Sequence, residues 1–253
     1  MTRKGLKKIT LWFFIIAFAA IAAISLFQLI SIELAYREGA RTYDVLTQFV
    51  THPPESWDTR TNAADRFPEI DFAALRAINP DIAAWLILEG TPINYPVVQG
   101  ADNLFYLNHM FDGEQNSVGT LFIDSYNTPG FADQNTVIYG HNMRDASMFA
   151  TLLEYESQAF FEEHSEMLLL TPQGNYLIKL FAGYTTDAAA DSWMFSFADS
   201  NDFERWISEA KYRSDFTSSV EIHPSDRLVT LSTCSYAFDN ARYVVVGRLV
   251  PIV

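Results

Sequence analysis

Between Ile9 and Ile32 the chain carries no charged side chain, and most positions are Ala, Ile, Leu or Phe. At about 1.5 Å per residue a helix over this run crosses a hydrocarbon core of roughly 30 Å, so the segment reads as a membrane span. A cleaved signal peptide has an apolar region of about 7 to 15 residues followed by small residues at the cleavage site. This run is longer, and bulky Leu26, Phe27, Leu29 and Ile30 stand where that site should be. Arg3, Lys4, Lys7 and Lys8 precede the run and no acid does. The positive-inside rule then places the N-terminus in the cytoplasm and residues 33 to 253 outside a single-pass cell-membrane protein.

Of the 17 basic residues four precede the span, which leaves 13 against all 31 acids beyond it, a balance of −18. Such a surface is a poor partner for nucleic acid or anionic lipid, both of which need clustered Lys and Arg. It also carries the only cysteine, Cys234. Outside a cell structural cysteines pair as disulfides, and one cysteine cannot. The bland reading is an inert core thiol; the alternative is a reactive one.

Four regions are expected: a basic tail (1–8), the anchor (9–32), a helix and connector (33–66), and a main domain (67–253). The stretch Glu33 to Val50 has helical spacing at Leu34, Tyr43, Leu46 and Phe49. The connector that follows is polar and Pro-containing. Beyond Phe67, strand signals dominate: "INYPVVQ", "GTLFID", "NTVIYGH", "EMLLLT", "NYLIKLFAGY", "RLVTLSTC" and "RYVVVGRLVPIV". Short β-branched and aromatic runs bounded by turn residues suit a mainly-β barrel or sandwich, with "TPQGN" as a hairpin turn. One clear helix, "SNDFERWISEAKYR", puts Phe203, Trp206, Ile207 and Ala210 on one face and spaces Asn201 and Glu204 as a capping box.

Cys234 ends the strand "RLVTLSTC", and "NTVIYGH" is another strand ending in Gly-His, at His141. Side chains at strand ends can leave a sheet and face a cleft, and imidazole is the usual partner of a nucleophilic thiol. His52 lies in the connector, while His109, His164 and His223 have polar neighbours that suggest solvated positions. Arg242 stands eight residues after the thiol and opens the next strand. If the intervening "SYAFDNA" is a tight connection, Arg242 returns to the level of Cys234 and can donate to a developing oxyanion. Its bland reading is a surface ion pair with Asp239 or another acid.

"TLSTC" followed by an Arg eight residues on and preceded by "VIYGHNM" resembles the sortases, membrane-anchored cysteine transpeptidases of Gram-positive bacteria. The stretch from Ile78 to Asp124 and the helix before the cysteine strand are similar to class B. The resemblance covers residues 67 to 253. It implies a closed eight-stranded β-barrel with N-terminal helices and one helix inserted before the cysteine strand. It assigns Cys234 as nucleophile on the threonine carbonyl of a C-terminal sorting signal, His141 as proton donor to the leaving amine, and Arg242 to the oxyanion. Asn103, Leu107 and Ser232 are implied on the substrate side. The implied partners are a surface protein or pilin bearing the signal and an amine of peptidoglycan or a pilin. No cofactor is implied, and neither an EF-hand loop nor a His–Cys ligand spacing suggests a metal. Two other classes remain open: a secreted cysteine peptidase that resolves the thioester with water, and a membrane-tethered binding module in which Cys234 is inert.

Overall fold

The structure is a computed structural model that describes residues 3–51 and 67–252. His52 and most of the polar connector lie outside the described residues. The charge-free run continues unbroken into the segment after it, giving one helix, α1, over Arg3–Leu46, followed by a 3-10 turn at Thr47–Phe49. From Ile9 to Glu38 there is no Pro or Gly to interrupt it. Side chains from Trp12 to Leu34 are almost all exposed, and this helix is long and apolar enough to cross a membrane. Leu34, the first of the four apolar positions at helical spacing, is 59% exposed. The helix meets the rest of the protein from Ala35 onward, and Gly39, Tyr43 and Leu46 are buried.

Strand β1 (Val50–Thr51) pairs antiparallel with β2 (Glu69–Ile70), and α2 (Phe72–Ile78) follows, capped by Asp71, which accepts from the Ala74 amide at 2.9 Å. Then come β3 (Ile82–Ile87), β4 (Asn94–Val98), β5 (Leu121–Ile123), β6 (Asn135–Tyr139), α3 (Gln158–Glu163), β7 (Glu166–Thr171), β8 (Gly174–Asp187), α4 (Ser200–Arg213), β9 (Leu228–Cys234) and β10 (Ala241–Ile252). The last eight strands close into a barrel in the order β10-β8-β7-β3-β4-β5-β6-β9. Two neighbouring pairs, β4 with β5 and β6 with β9, are parallel; the others are antiparallel. The "TPQGN" turn joins β7 to β8, with Thr171 opposite Gly174.

The barrel interior and α4 make two cores. On β10, Tyr243 and Val245 point into the first, and Val244 and Val246 point outward to the second. That alternation follows the period of two along a strand. Because both faces are covered, the sequence of β10 is almost continuously apolar. Helix α4 lays Phe203, Trp206, Ile207 and Ala210 over the outer faces of β8 and β10. Its cap is not the expected Asn201–Glu204 pair. The Asp199 carboxylate accepts from the Asp202 amide at 2.9 Å, and the Asp202 carboxylate accepts from the Ala198 amide at 3.1 Å. The reciprocal device is present two residues earlier, because the helix begins at Ser200.

Candidate active site

Strands β9 and β10 are antiparallel neighbours in a register that sets Arg242 directly opposite Cys234. The short 235–240 connection therefore returns the chain to the level of the thiol. Strand β6 lies on the other side of β9 and runs parallel to it, with Tyr139 level with Ser232. The ladder continues one step further through the Gly140 amide, which donates to the Ser232 carbonyl at 3.0 Å. His141 and Cys234 thus leave the barrel at the same end. Asn142 ties the two strand ends together, its Nδ2 donating to the Cys234 carbonyl at 2.9 Å.

Gly140 is required by close approach. A Cβ there would lie 2.4 Å from Leu121 and 2.6 Å from the Phe149 ring. The imidazole that follows is half-buried, and its Nε2 donates to the Leu107 carbonyl at 2.7 Å. A carbonyl accepts only, which fixes the proton on Nε2 and leaves Nδ1 as the other nitrogen. Leu107 ends a 3-10 turn, Phe105–Leu107, held at its start by the Asp102 carboxylate, which accepts from the Leu104 and Phe105 amides at 2.8 Å each. Those two amides hold the Asp102 carboxyl below the usual carboxylate range. Just before the same turn Asn103 accepts from the Ser125 amide at 2.7 Å.

A cleft of about 250 Å³ joins these elements. All six residues singled out from the sequence line it: Cys234, His141, Arg242, Asn103, Leu107 and Ser232. Thiol, imidazole and guanidinium are each partly accessible. The guanidinium donates to the Ala241 carbonyl at 3.0 Å. Among the described residues it makes no ion pair with Asp239 or any other acid, so the surface-pair reading of Arg242 finds no partner here. Ser232 Oγ and Thr233 Oγ1 are buried without a hydrogen-bond partner among the described residues. Ser232 shares its strand face with Cys234, whereas Thr233 lies opposite Tyr243 and points into the barrel core, so of the two hydroxyls only that of Ser232 is on the side of the thiol.

The cleft also holds residues that sequence reasoning missed. Phe122 and Tyr139 line it, and the Tyr139 hydroxyl donates to Asp124 at 2.8 Å. Burial first, then the charge of Asp124, pushes the Tyr139 phenol far above its ordinary range, while Arg242 pulls the other way. Tyr139 is therefore a neutral donor to a buried carboxylate. The available signal was position, since Tyr139 ends β6 two residues before His141 and Phe122 lies opposite it on β5.

Two histidines differ from expectation. His109 and His164 are half-buried and not freely solvated. His109 stacks on Phe105 at 3.9 Å between ring centres, and His164 packs against Phe160 at 4.4 Å. Polar sequence neighbours said nothing of these aromatics, each four residues earlier and one turn away.

Comparison with known proteins agrees with this geometry. A sortase domain matches residues 86–250. The sortase B of Listeria monocytogenes is 38% identical over 178 residues, which span 70% of this chain and 72% of that protein. The Staphylococcus aureus sortase B–substrate complex is 35% identical, covers 72% of this chain and 85% of that one, and superposes with a TM-score of 0.69. A structure of sortase B complexed with triglycine, also 35% identical, covers 72% of this chain and 86% of that one at a TM-score of 0.68. With its closed barrel, its motifs and these relatives, the chain belongs to the sortase family of cysteine transpeptidases, and within it to class B.

Proposed function

We propose that Cys234, His141 and Arg242 carry the transpeptidation. The observation that supports this reading best is the barrel register, with Arg242 directly across from the thiol and His141 at the same end of the adjacent parallel strand. The Cys234 thiolate attacks the threonine carbonyl carbon of a sorting signal. The C–S bond forms as the carbonyl electrons move to oxygen, where the Arg242 fork donates. As the oxyanion collapses, the C–N bond breaks and the doubly protonated His141 gives a proton to the leaving amine. Since Nε2–H is already committed to Leu107, Nδ1 is the nitrogen for this transfer. An acceptor amine then attacks the thioester, giving its proton to the imidazole and releasing the Cys234 thiolate.

Asn103, Leu107 and the unpaired Ser232 hydroxyl are the substrate-side contacts in this reading. The substrate is a surface protein or pilin bearing the sorting signal, and the acceptor an amine of peptidoglycan or a pilin. The related enzyme with triglycine bound makes a small, unhindered amine the natural first acceptor to try. Residues 1–8 form the cytoplasmic tail, 9–32 the span, 33–66 the extracellular lead-in and 67–253 the catalytic domain. An apolar helix at the N-terminus supports this topology, in which the cleft works outside the membrane. The mechanism itself calls for no metal or cofactor.

Cys234→Ala and His141→Ala are each expected to abolish cleavage of a sorting peptide while folding normally. Stability should move by no more than about 1 to 2 kcal/mol in thermal unfolding, since a partly exposed strand end loses little packing. Transfer activity retained by Cys234→Ala would overturn the assignment of the nucleophile.

A further inference from the structure

The end of α1 outside the charge-free run is packed against the segment that holds His141. Asn116 Nδ2 donates to the Ala35 carbonyl at 3.0 Å, and the helix approaches so closely that a Cβ on Gly39 would lie 2.8 Å from Val118. One turn further on, Tyr43 is 5% exposed, its ring edge-on to Tyr95 at 5.3 Å. Its hydroxyl donates to the Gly119 carbonyl and lies 3.0 Å from Thr120 Oγ1, which donates to the His109 carbonyl at 2.9 Å.

Gly119 is where this contact meets the imidazole. It has φ +64°, a conformation that favours glycine. A Cβ there would lie 2.7 Å from the Tyr106 carbonyl oxygen, 2.9 Å from that of Leu107 and 3.1 Å from His141 Cδ2. The Thr120 amide donates to the Tyr106 carbonyl at 3.0 Å. The residue clamped by Tyr43 therefore lies beside both the ring of His141 and the carbonyl that holds its Nε2, with no room for a side chain between them.

We propose that Tyr43 is a positioning residue for His141, acting through the Gly119–Thr120 peptide and the Leu107 carbonyl, so that docking of the membrane helix sets the orientation of the imidazole. A continuous helix links Tyr43 to Ile32, roughly 16 Å along the axis at about 1.5 Å per residue, so the clamp and the anchor are one rigid element. A hydroxyl oriented by two partners holds a peptide at fixed distance, as a phenyl ring in the same place cannot. The proposal rests on the reading of His141 as the proton donor.

Tyr43→Phe keeps the ring and removes only the hydroxyl. In the full-length protein in detergent micelles, kcat for a sorting peptide is expected to fall about 10-fold with KM unchanged. Leu46→Ala, which cuts a buried contact of the same helix without touching the clamp, is the comparison: it should lower the melting temperature and leave kcat in place. Wild-type kcat in Tyr43→Phe, or an equal loss of kcat in both variants, would overturn the proposal. If His141→Ala itself retains wild-type activity, the assignment of His141 has failed, a result distinct from an active Tyr43→Phe beside an inactive His141→Ala.

Discussion

A guanidinium presents a planar fork of donors at fixed geometry, whereas a lysine ammonium is a point charge on a flexible stem. Arg242→Lys therefore separates charge from geometry at the position across from Cys234. The variant is expected to fold normally and to keep a thiol that reacts with small alkylating reagents. Its turnover of a sorting peptide should fall on the order of 100-fold or more, the cost of losing a well-placed oxyanion donor. Turnover near wild type would mean that charge alone suffices and would remove the oxyanion role. Residues of this kind were legible because their chemistry is rare: a single thiol, and an imidazole and a guanidinium at strand ends. Their partners were not. The Leu107 carbonyl that holds His141 is backbone, present at every residue, and the burial of Asp124 under Tyr139 depends on strand pairing that residue spacing does not express.

Seven of the eight barrel strands were marked by β-branched or aromatic runs, but β3 was not read as a strand. Its sequence, "IAAWLI", carries two alanines and is buried at nearly every position. A fully covered strand has no polar alternation, so periodicity cannot separate it from a buried helix. Helix α1 shows the opposite error, a boundary suggested by the change from apolar to charged residues at Glu33, where the backbone has no reason to break. In α4 the extent and the buried face were legible to the residue, because Phe203, Trp206, Ile207 and Ala210 follow the helical period, while the capping pair was placed two residues too late. The observed cap gives a direct check. Asp199→Ala should cost about 0.5 to 2 kcal/mol in chemical denaturation, as expected for an N-cap, and Asn201→Ala markedly less. Peptide cleavage should be unchanged in both, since α4 packs on the barrel's outer face. Equal destabilisation by the two substitutions would argue against the Asp199 cap.

At the scale of the whole molecule, the barrel closes on its own hydrogen bonds and buries its own core, while residues 12–34 of α1 lie almost wholly exposed. A protein starting at Glu33 keeps Gly39, Tyr43 and Leu46 against the barrel. It is expected to be soluble without detergent and to cleave a sorting peptide at the full-length rate; persistent aggregation with no cleavage would show that the span contributes to the fold. The central claim is that Cys234 forms a thioester that an amine resolves. Intact-protein mass spectrometry after incubation with a sorting peptide tests it most directly, first without an amine and then with triglycine added. The account predicts a mass increase on Cys234 equal to the peptide fragment ending in threonine, absent in Cys234→Ala. Adding triglycine should discharge it into a peptide–triglycine amide. Amide product formed with no adduct on the protein, or an adduct that persists in Cys234→Ala, would contradict the account.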